Sequence, residues 1–359
     1  MSNRERKIEA REKRKAERKE RHKEIKNTKK ADKTAEEYSL AGQQTGRVGA
    51  SFSLIHRHQD ARHAQQLLLN QAVVAADDPI FDTYYSINTP GTFFVWDKEA
   101  GKVVFGVRCT PVTHLTEVEK FDEFFKHIHQ DSHLHSPVKT NGALVTGAMW
   151  AMGWRAGYER GIAFDTYSYP KNGKKTEEWD NLRSKDYGIH SFYGYRFSSM
   201  ASAFFSTTQQ LTQAVAVPLW GQRHIPEKDL DMQDFCFASN LTYTKSDSHG
   251  RMFSNKPHKD NDGSPMTFGV WGLVDENGAL SKGKVDMMKG VFFYIASYRI
   301  KVDFAARTDC VWELVWRGKE DVHATVEGTV VEGYNWVGSS AQTSRSLIQR
   351  VNTWTKAQV

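Results

Sequence analysis

Apolar side chains are nearly missing from the first 37 positions and dense in most of the remaining chain. The opening stretch strings together good helix formers of both signs, with Glu5/Glu9, Glu12/Glu17 and Glu20/Glu24 set among basic residues at spacings that permit ion pairs along a helix. No apolar stripe accompanies them, so such a helix has nothing to pack on, and the pattern predicts a solvated, partly helical tail over residues 1–37. From residue 38 the chain passes through Gly, Ser and Gln to an amphipathic stretch at residues 61–76, and the core is expected to start near Ser51. Residues 80–107 read as strands: Tyr84-Tyr-Ser-Ile-Asn88, then Thr92-Phe-Phe-Val-Trp96 and Lys102-Val-Val-Phe-Gly-Val107 joined as a hairpin. Residues 115–129 carry Phe121, Phe124, Phe125 and Ile128 on one helical face. Further helices are predicted over 142–161 and 197–215, with the polar segment 170–187 between them a mobile loop turning at Asn172-Gly173. From Phe235 to Ser344 the pattern is mainly β, and residues 346–356 close the chain as a short helix.

Helices first and a β region later predict an α+β fold: a double-stranded β-helix, or jelly roll, with helices buttressing one face. Hydrophobic residues make up 39% of the 359, with 20 Phe, 13 Tyr and 10 Trp, enough to bury such a core. No run of about 18 apolar residues is present, so no membrane span is expected. The N-terminus lacks the apolar centre of a secretory signal. Cys109, Cys236 and Cys310 lie far apart without CxxC spacing, which points away from structural zinc and disulfides and toward the reducing cytosol or nucleus.

Charge changes the picture of the tail. Residues 1–37 hold 15 of the 49 Lys/Arg and 9 of the 43 Asp/Glu, leaving 34 of each sign in the rest, so the net +6 belongs entirely to the tail. A basic pI therefore does not make the folded part a nucleic-acid binder. The tail itself reads either as a solvated charge run or as an electrostatic arm for DNA, or as an import patch at Arg11-Glu-Lys-Arg-Lys15.

The chemistry concentrates in Asn255-Lys-Pro-His-Lys-Asp260 and, 65 residues past His258, His323 in Trp316-Arg-Gly-Lys-Glu-Asp-Val-His-Ala-Thr325. Two imidazoles and a carboxylate form the facial ligand set that holds Fe(II) with open positions for oxygen chemistry. On extended chain, residues i and i+2 share a face, so His258 and Asp260 can grip one ion, and the third ligand must come from a strand folded back over them. The order strand, ligand pair, strand, strand, distal ligand suits a double-stranded β-helix. His127, His129, His133 and His135, and likewise His56 and His58, are rival imidazole groups; they read as polar loop residues.

These motifs, with Phe268-Gly-Val-Trp271 and Gly147-Ala-Met-Trp-Ala-Met-Gly-Trp-Arg-Ala-Gly-Tyr-Glu-Arg-Gly161, resemble the fungal branch of the TET/JBP family over residues 240–342 and upstream patches. The resemblance implies an Fe(II)- and 2-oxoglutarate-dependent dioxygenase domain over residues 38–359, its β core mainly 235–345. It implies oxidation of 5-methylcytosine in DNA to 5-hydroxymethylcytosine, with methylated DNA as partner and a nuclear location. It also implies His258, Asp260 and His323 as iron ligands. The family normally places an arginine 10–15 residues past the distal histidine for the distal carboxylate of 2-oxoglutarate. Here no Lys or Arg follows His323 until Arg345, and Asn335-Trp-Val-Gly-Ser-Ser-Ala-Gln342 carries none. Arg345 and Arg317 are the candidates for that carboxylate. Asn240, Asn255 and Thr325 are candidates for co-substrate or base contacts, and Arg155 and Arg160 for phosphate. The same iron chemistry on N6-methyladenine, RNA or protein, and a catalytically silent DNA-binding relative, are the alternatives.

Overall fold

The computed structural model describes residues 3–47, 51–57, 75–138, 144–157, 162–167, 170–218, 220, 238–247 and 249–357. Two sheets organise them. The large one runs in the order β1 (Ser53–Arg57), β3 (Gly91–Asp97), β4 (Lys102–Pro111), β14 (Cys310–Trp316), β10 (Thr267–Asp275), β17 (Tyr334–Gln342), β8 (Asn240–Lys245), β6 (Ala148–Ala156) and β7 (Phe164–Thr166). Every pairing in it is antiparallel except β1 with β3. The small sheet runs β15 (His323–Val326), β12 (Phe292–Ile295), β13 (Ile300–Asp303) and β2 (Tyr85–Ile87). Two short pairs, β5 (Leu144–Thr146) with β9 (Ser254–Asn255) and β11 (Met288–Lys289) with β16 (Thr329–Val330), complete the described strands.

Alternation along the strands divides the core in two. On β14, Trp312, Leu314 and Trp316 join Trp271, Leu273, Phe293, Ile295, Phe304 and Trp336 in the layer that includes both sheets. Val311 and Val315 point the other way, with Phe268 and Val270, onto Phe121, Phe124, Phe125, Tyr193 and Phe197 of the helices. Those aromatics lie on α2 (Val118–Leu134) and on α4 (Asp186–Ala214), which follows the short α3 (Glu177–Ser184). This is the predicted α+β jelly roll with helices on one face. Glu313, fully buried on the helix side of β14, receives bidentate hydrogen bonds from Arg108 and Arg196, and so ties β4, β14 and α4 together.

Several predicted elements take a different form. Residues 144–156 are strands, β5 and β6, rather than a helix. Trp150 and Met152 enter the helix-side core at period two, and Gly147 and Gly153 take φ of 73° and 92°, which no α-helix accommodates. Pairing with β8 overrides the helix-like spacing of Trp and Met. The polar segment after residue 170 is not a loop throughout: Thr176 caps α3 by accepting the Trp179 amide, and Arg183 is buried against Asp131. α4 also starts well before residue 197. His127, His129 and His133 sit on α2 and not on a loop; His127 faces Asp186 at 3.0 Å and His135 contacts Asp131 and the Tyr167 carbonyl. Arg155 lies on β6 and bonds Asp165 of β7 at 2.6 Å. The N-terminal helix α1 (Asn3–Thr45) runs past residue 37, and Ala41 and Thr45 are buried ahead of the expected core boundary at Ser51. The predicted closing helix is α5 (Arg345–Ala357). The amphipathic stretch up to residue 74, His58, Arg160 and Cys236 lie outside the described residues.

Candidate functional site

His258 and Asp260 are carried by a short extended arm that bridges the two sheets. The His258 amide donates to the His323 carbonyl (3.1 Å) and the His323 amide to the His258 carbonyl (3.0 Å), so the arm docks on the free edge of β15. Two residues on, the Asp260 amide donates to Gly318 in the turn after β14 (2.9 Å). Asp262 then ends the arm by accepting the Ser264 and Thr343 amides, which pins it to the end of β17. Burial, with the Asp260 charge close by, pushes the Asp262 carboxyl up to about 7.

This backbone frame brings His258, Asp260 and His323 together, with one donor atom from each within 4.8 Å of the others. The Asp260 oxygens lie 3.3 Å from His258 Nε2 and 3.5 Å from His323 Nε2. Each imidazole is oriented from behind: Nδ1 of His258 is 2.8 Å from the Lys256 carbonyl and Nδ1 of His323 is 2.9 Å from that of Asp321. Donation of Nδ1–H to these carbonyls leaves both Nε2 lone pairs facing the carboxylate, the arrangement that metal-ligating histidines need. Burial opposes ionisation of Asp260, yet the neighbouring His323 and His258 hold its carboxyl well below the usual range. Burial likewise disfavours charging His258, but Asp260 outweighs it and raises that pKa. Asp260 Oδ2 is buried and accepts no hydrogen bond. An orphaned anionic oxygen beside two inward-facing imidazoles suits a divalent cation, and the residues fit iron.

The cluster opens onto a cavity of about 230 Å³. Phe253, Trp271, Phe293 and Trp316 form an apolar wall, and the rings of Phe293 and Trp316 flank His323 at 5.7 and 5.8 Å. Thr242, Thr244, Ser340 and Gln342 form a polar wall on adjacent strands β8 and β17. Thr242 Oγ1 and Ser340 Oγ are 2.8 Å apart.

Of the other predicted site residues, Thr325 lines this cavity, as does Asn255, whose side-chain oxygen accepts the Thr325 amide (2.8 Å). Arg317 does not: it is buried and bonded to Asp321 and to the Tyr298 hydroxyl, with Glu320 at 3.0 Å. Its guanidinium stiffens the turn that presents His323. Arg345 is exposed at the start of α5, and Asn240 donates to the Trp154 carbonyl; neither lines the cavity. No Lys or Arg is among the described residues that do. The polar wall was not anticipated, although Gly338, Ser340 and Gln342 recur at the two-residue period of one strand face.

Residues 115–328, which include His258, Asp260 and His323, match the Tet-like 2OG-Fe(II) oxygenase superfamily. The chain belongs to this family and is an Fe(II)- and 2-oxoglutarate-dependent dioxygenase. No curated protein matches it. Among solved structures, NgTET1 in complex with 5mC DNA is similar at 13% identity and a TM-score of 0.40, over 82% of this chain and 98% of that one.

Proposed function

We propose that this dioxygenase oxidises 5-methylcytosine in DNA, with His258, Asp260 and His323 as the iron ligands. The observation that carries the reading is a three-ligand cluster opening onto a cavity with one aromatic and one hydrogen-bonding wall, in a chain of the Tet-like family. Iron with 2-oxoglutarate and dioxygen supplies the oxidising power. Overall, one oxygen atom of dioxygen enters the methyl group to give 5-hydroxymethylcytosine; the other enters succinate as carbon dioxide leaves.

The chain's own residues do the rest. His258 Nε2, His323 Nε2 and the Asp260 carboxylate would hold the metal, and the carbonyls of Lys256 and Asp321 would keep both rings in the required tautomer. Phe293 and Trp316 exclude water beside His323. A methylated base must leave the duplex stack to enter this cavity, and its aromatic faces suit an extruded base. Thr242, Thr244, Ser340 and Gln342, the polar groups of the cavity wall, would supply hydrogen bonds to the distal carboxylate of 2-oxoglutarate in place of a guanidinium. Methylated DNA as partner and a nuclear location belong to the same proposal. Incubation with duplexes carrying 5-methylcytosine or N6-methyladenine, and with methylated RNA, followed by mass spectrometry of the nucleosides, tests it. Oxidation confined to N6-methyladenine or RNA would replace the substrate while keeping the enzyme.

A further inference from the structure

Among the described side chains, α1 docks on the body at its C-terminal end. Tyr38 packs against the core and its hydroxyl accepts the Leu54 amide, Gln44 bonds Gly101 and Val103, and Ala41 and Thr45 are buried. Residues 15–33 stand exposed in solvent ahead of that anchor. At about 100° per residue, positions 15, 18, 19, 22, 26, 29 and 33 share an arc about 100° wide on one side of this helix. Every one is basic: Lys15, Arg18, Lys19, His22, Lys26, Lys29 and Lys33. Glu12, Glu17, Glu20 and Glu24 all fall outside the arc. The helix is thus amphipathic in charge rather than in hydropathy. Basic residues also occur elsewhere on the circumference, as at Lys13, Arg21, Lys23 and Lys30, but the acids are kept off this arc.

We infer that the basic face of α1 is a docking surface for the sugar-phosphate backbone of duplex DNA. From Lys15 to Lys33 the stripe runs about 27 Å, and a duplex presents a phosphate every ~3.4 Å along each strand. Charge complementarity names the partner. A helix lying on a membrane needs an apolar face, and the exposed stretch offers a single large apolar side chain, Ile25. The inference rests on the proposed DNA substrate, but it concerns affinity and not chemistry. Contacts to phosphate position the chain without reading sequence.

The test uses the full chain and an unmethylated duplex two to three helical turns long. One variant carries Arg18→Gln, Lys26→Gln and Lys29→Gln in the arc. Its control carries Lys13→Gln, Arg21→Gln and Lys23→Gln, which remove the same charge from positions outside the arc. Fluorescence anisotropy over a salt series is expected to show the slope of log K against log salt falling by roughly 2–3 for the arc variant, at about 0.9 per lost phosphate contact. The control is expected to keep the slope. Equal effects of the two variants, no effect of either, or arc-dependent binding to anionic vesicles but not to duplex would overturn the inference. Methylcytosine oxidation at saturating DNA separates the two readings. Oxidation with no arc-dependent binding removes only the docking surface; arc-dependent binding with no oxidation removes only the substrate assignment.

Discussion

Gly318 lies directly against Asp260: a Cβ at this position would overlap the Asp260 carboxylate and Thr267 Oγ1. The Gly318 carbonyl accepts the Asp260 amide at the same time, so one residue both anchors the ligand and leaves room for its carboxylate. Gly318→Ala is therefore expected to weaken metal binding by about 10–100-fold, the usual scale for disturbing what supports a ligand. The fold should persist, because the displaced group faces a cavity. Titration with Mn(II), read by electron paramagnetic resonance, measures the loss; an unchanged affinity would show that the carboxylate is not confined as described.

Arg317 separates two roles. As a co-substrate anchor it would affect mainly the KM for 2-oxoglutarate. Bonded to buried Asp321, it should instead act on stability: Arg317→Ala is expected to cost about 3–5 kcal/mol by stranding a buried carboxylate. Thermal denaturation checks this, and a raised KM with an unchanged Tm would restore Arg317 to the co-substrate.

The polar wall carries the complementary expectation. Ser340→Ala should raise the KM for 2-oxoglutarate by about tenfold, the equivalent of one hydrogen bond to a charged group, with kcat and Tm little changed. Calorimetric titration of 2-oxoglutarate into Mn(II)-loaded protein provides a readout independent of turnover. Equal affinity in both proteins would move the carboxylate elsewhere.

Glu313 gives a pH dependence with a definite sign. Burial opposes its ionisation, but Arg108 and Arg196 prevail and bring its pKa down to about 2 from an ordinary 4.5. A depressed carboxyl contributes stability that is fully present above the unfolded pKa and is lost as pH falls through the folded one. The contribution, on the order of 3 kcal/mol, should thus fade between about pH 5 and pH 2. Glu313→Gln should be less stable at neutral pH and lose less on acidification, measured by urea denaturation across that range. Parallel curves for both proteins would contradict the assignment.

The candidate ligands were singled out in the sequence by the family resemblance, together with a two-residue spacing that lets His258 and Asp260 share a face on extended chain. The jelly roll was legible from β-dense runs after residue 240. Residues 144–156 misled, since Trp150 and Trp154 recur at helical spacing as well as at period two, and only pairing with β8 decides between them. The polar wall was hidden for a different reason. Thr242 and Ser340 are unremarkable one at a time, and gain meaning only through a register that sets residues 98 apart side by side. The arginines drew attention as isolated charges, whereas the buried Asp321 had already engaged Arg317.

One comparison bears most directly on the iron centre. Wild-type chain and Asp260→Ala are incubated with Fe(II), 2-oxoglutarate and duplex DNA containing 5-methylcytosine, and both 5-hydroxymethylcytosine and succinate are quantified by mass spectrometry. The expected result is product and succinate formed together by the wild type and neither by the variant, with Tm conserved. Turnover by Asp260→Ala at the wild-type rate would contradict the ligand assignment, and no oxidised cytosine from metal-loaded wild type would contradict 5-methylcytosine as the substrate.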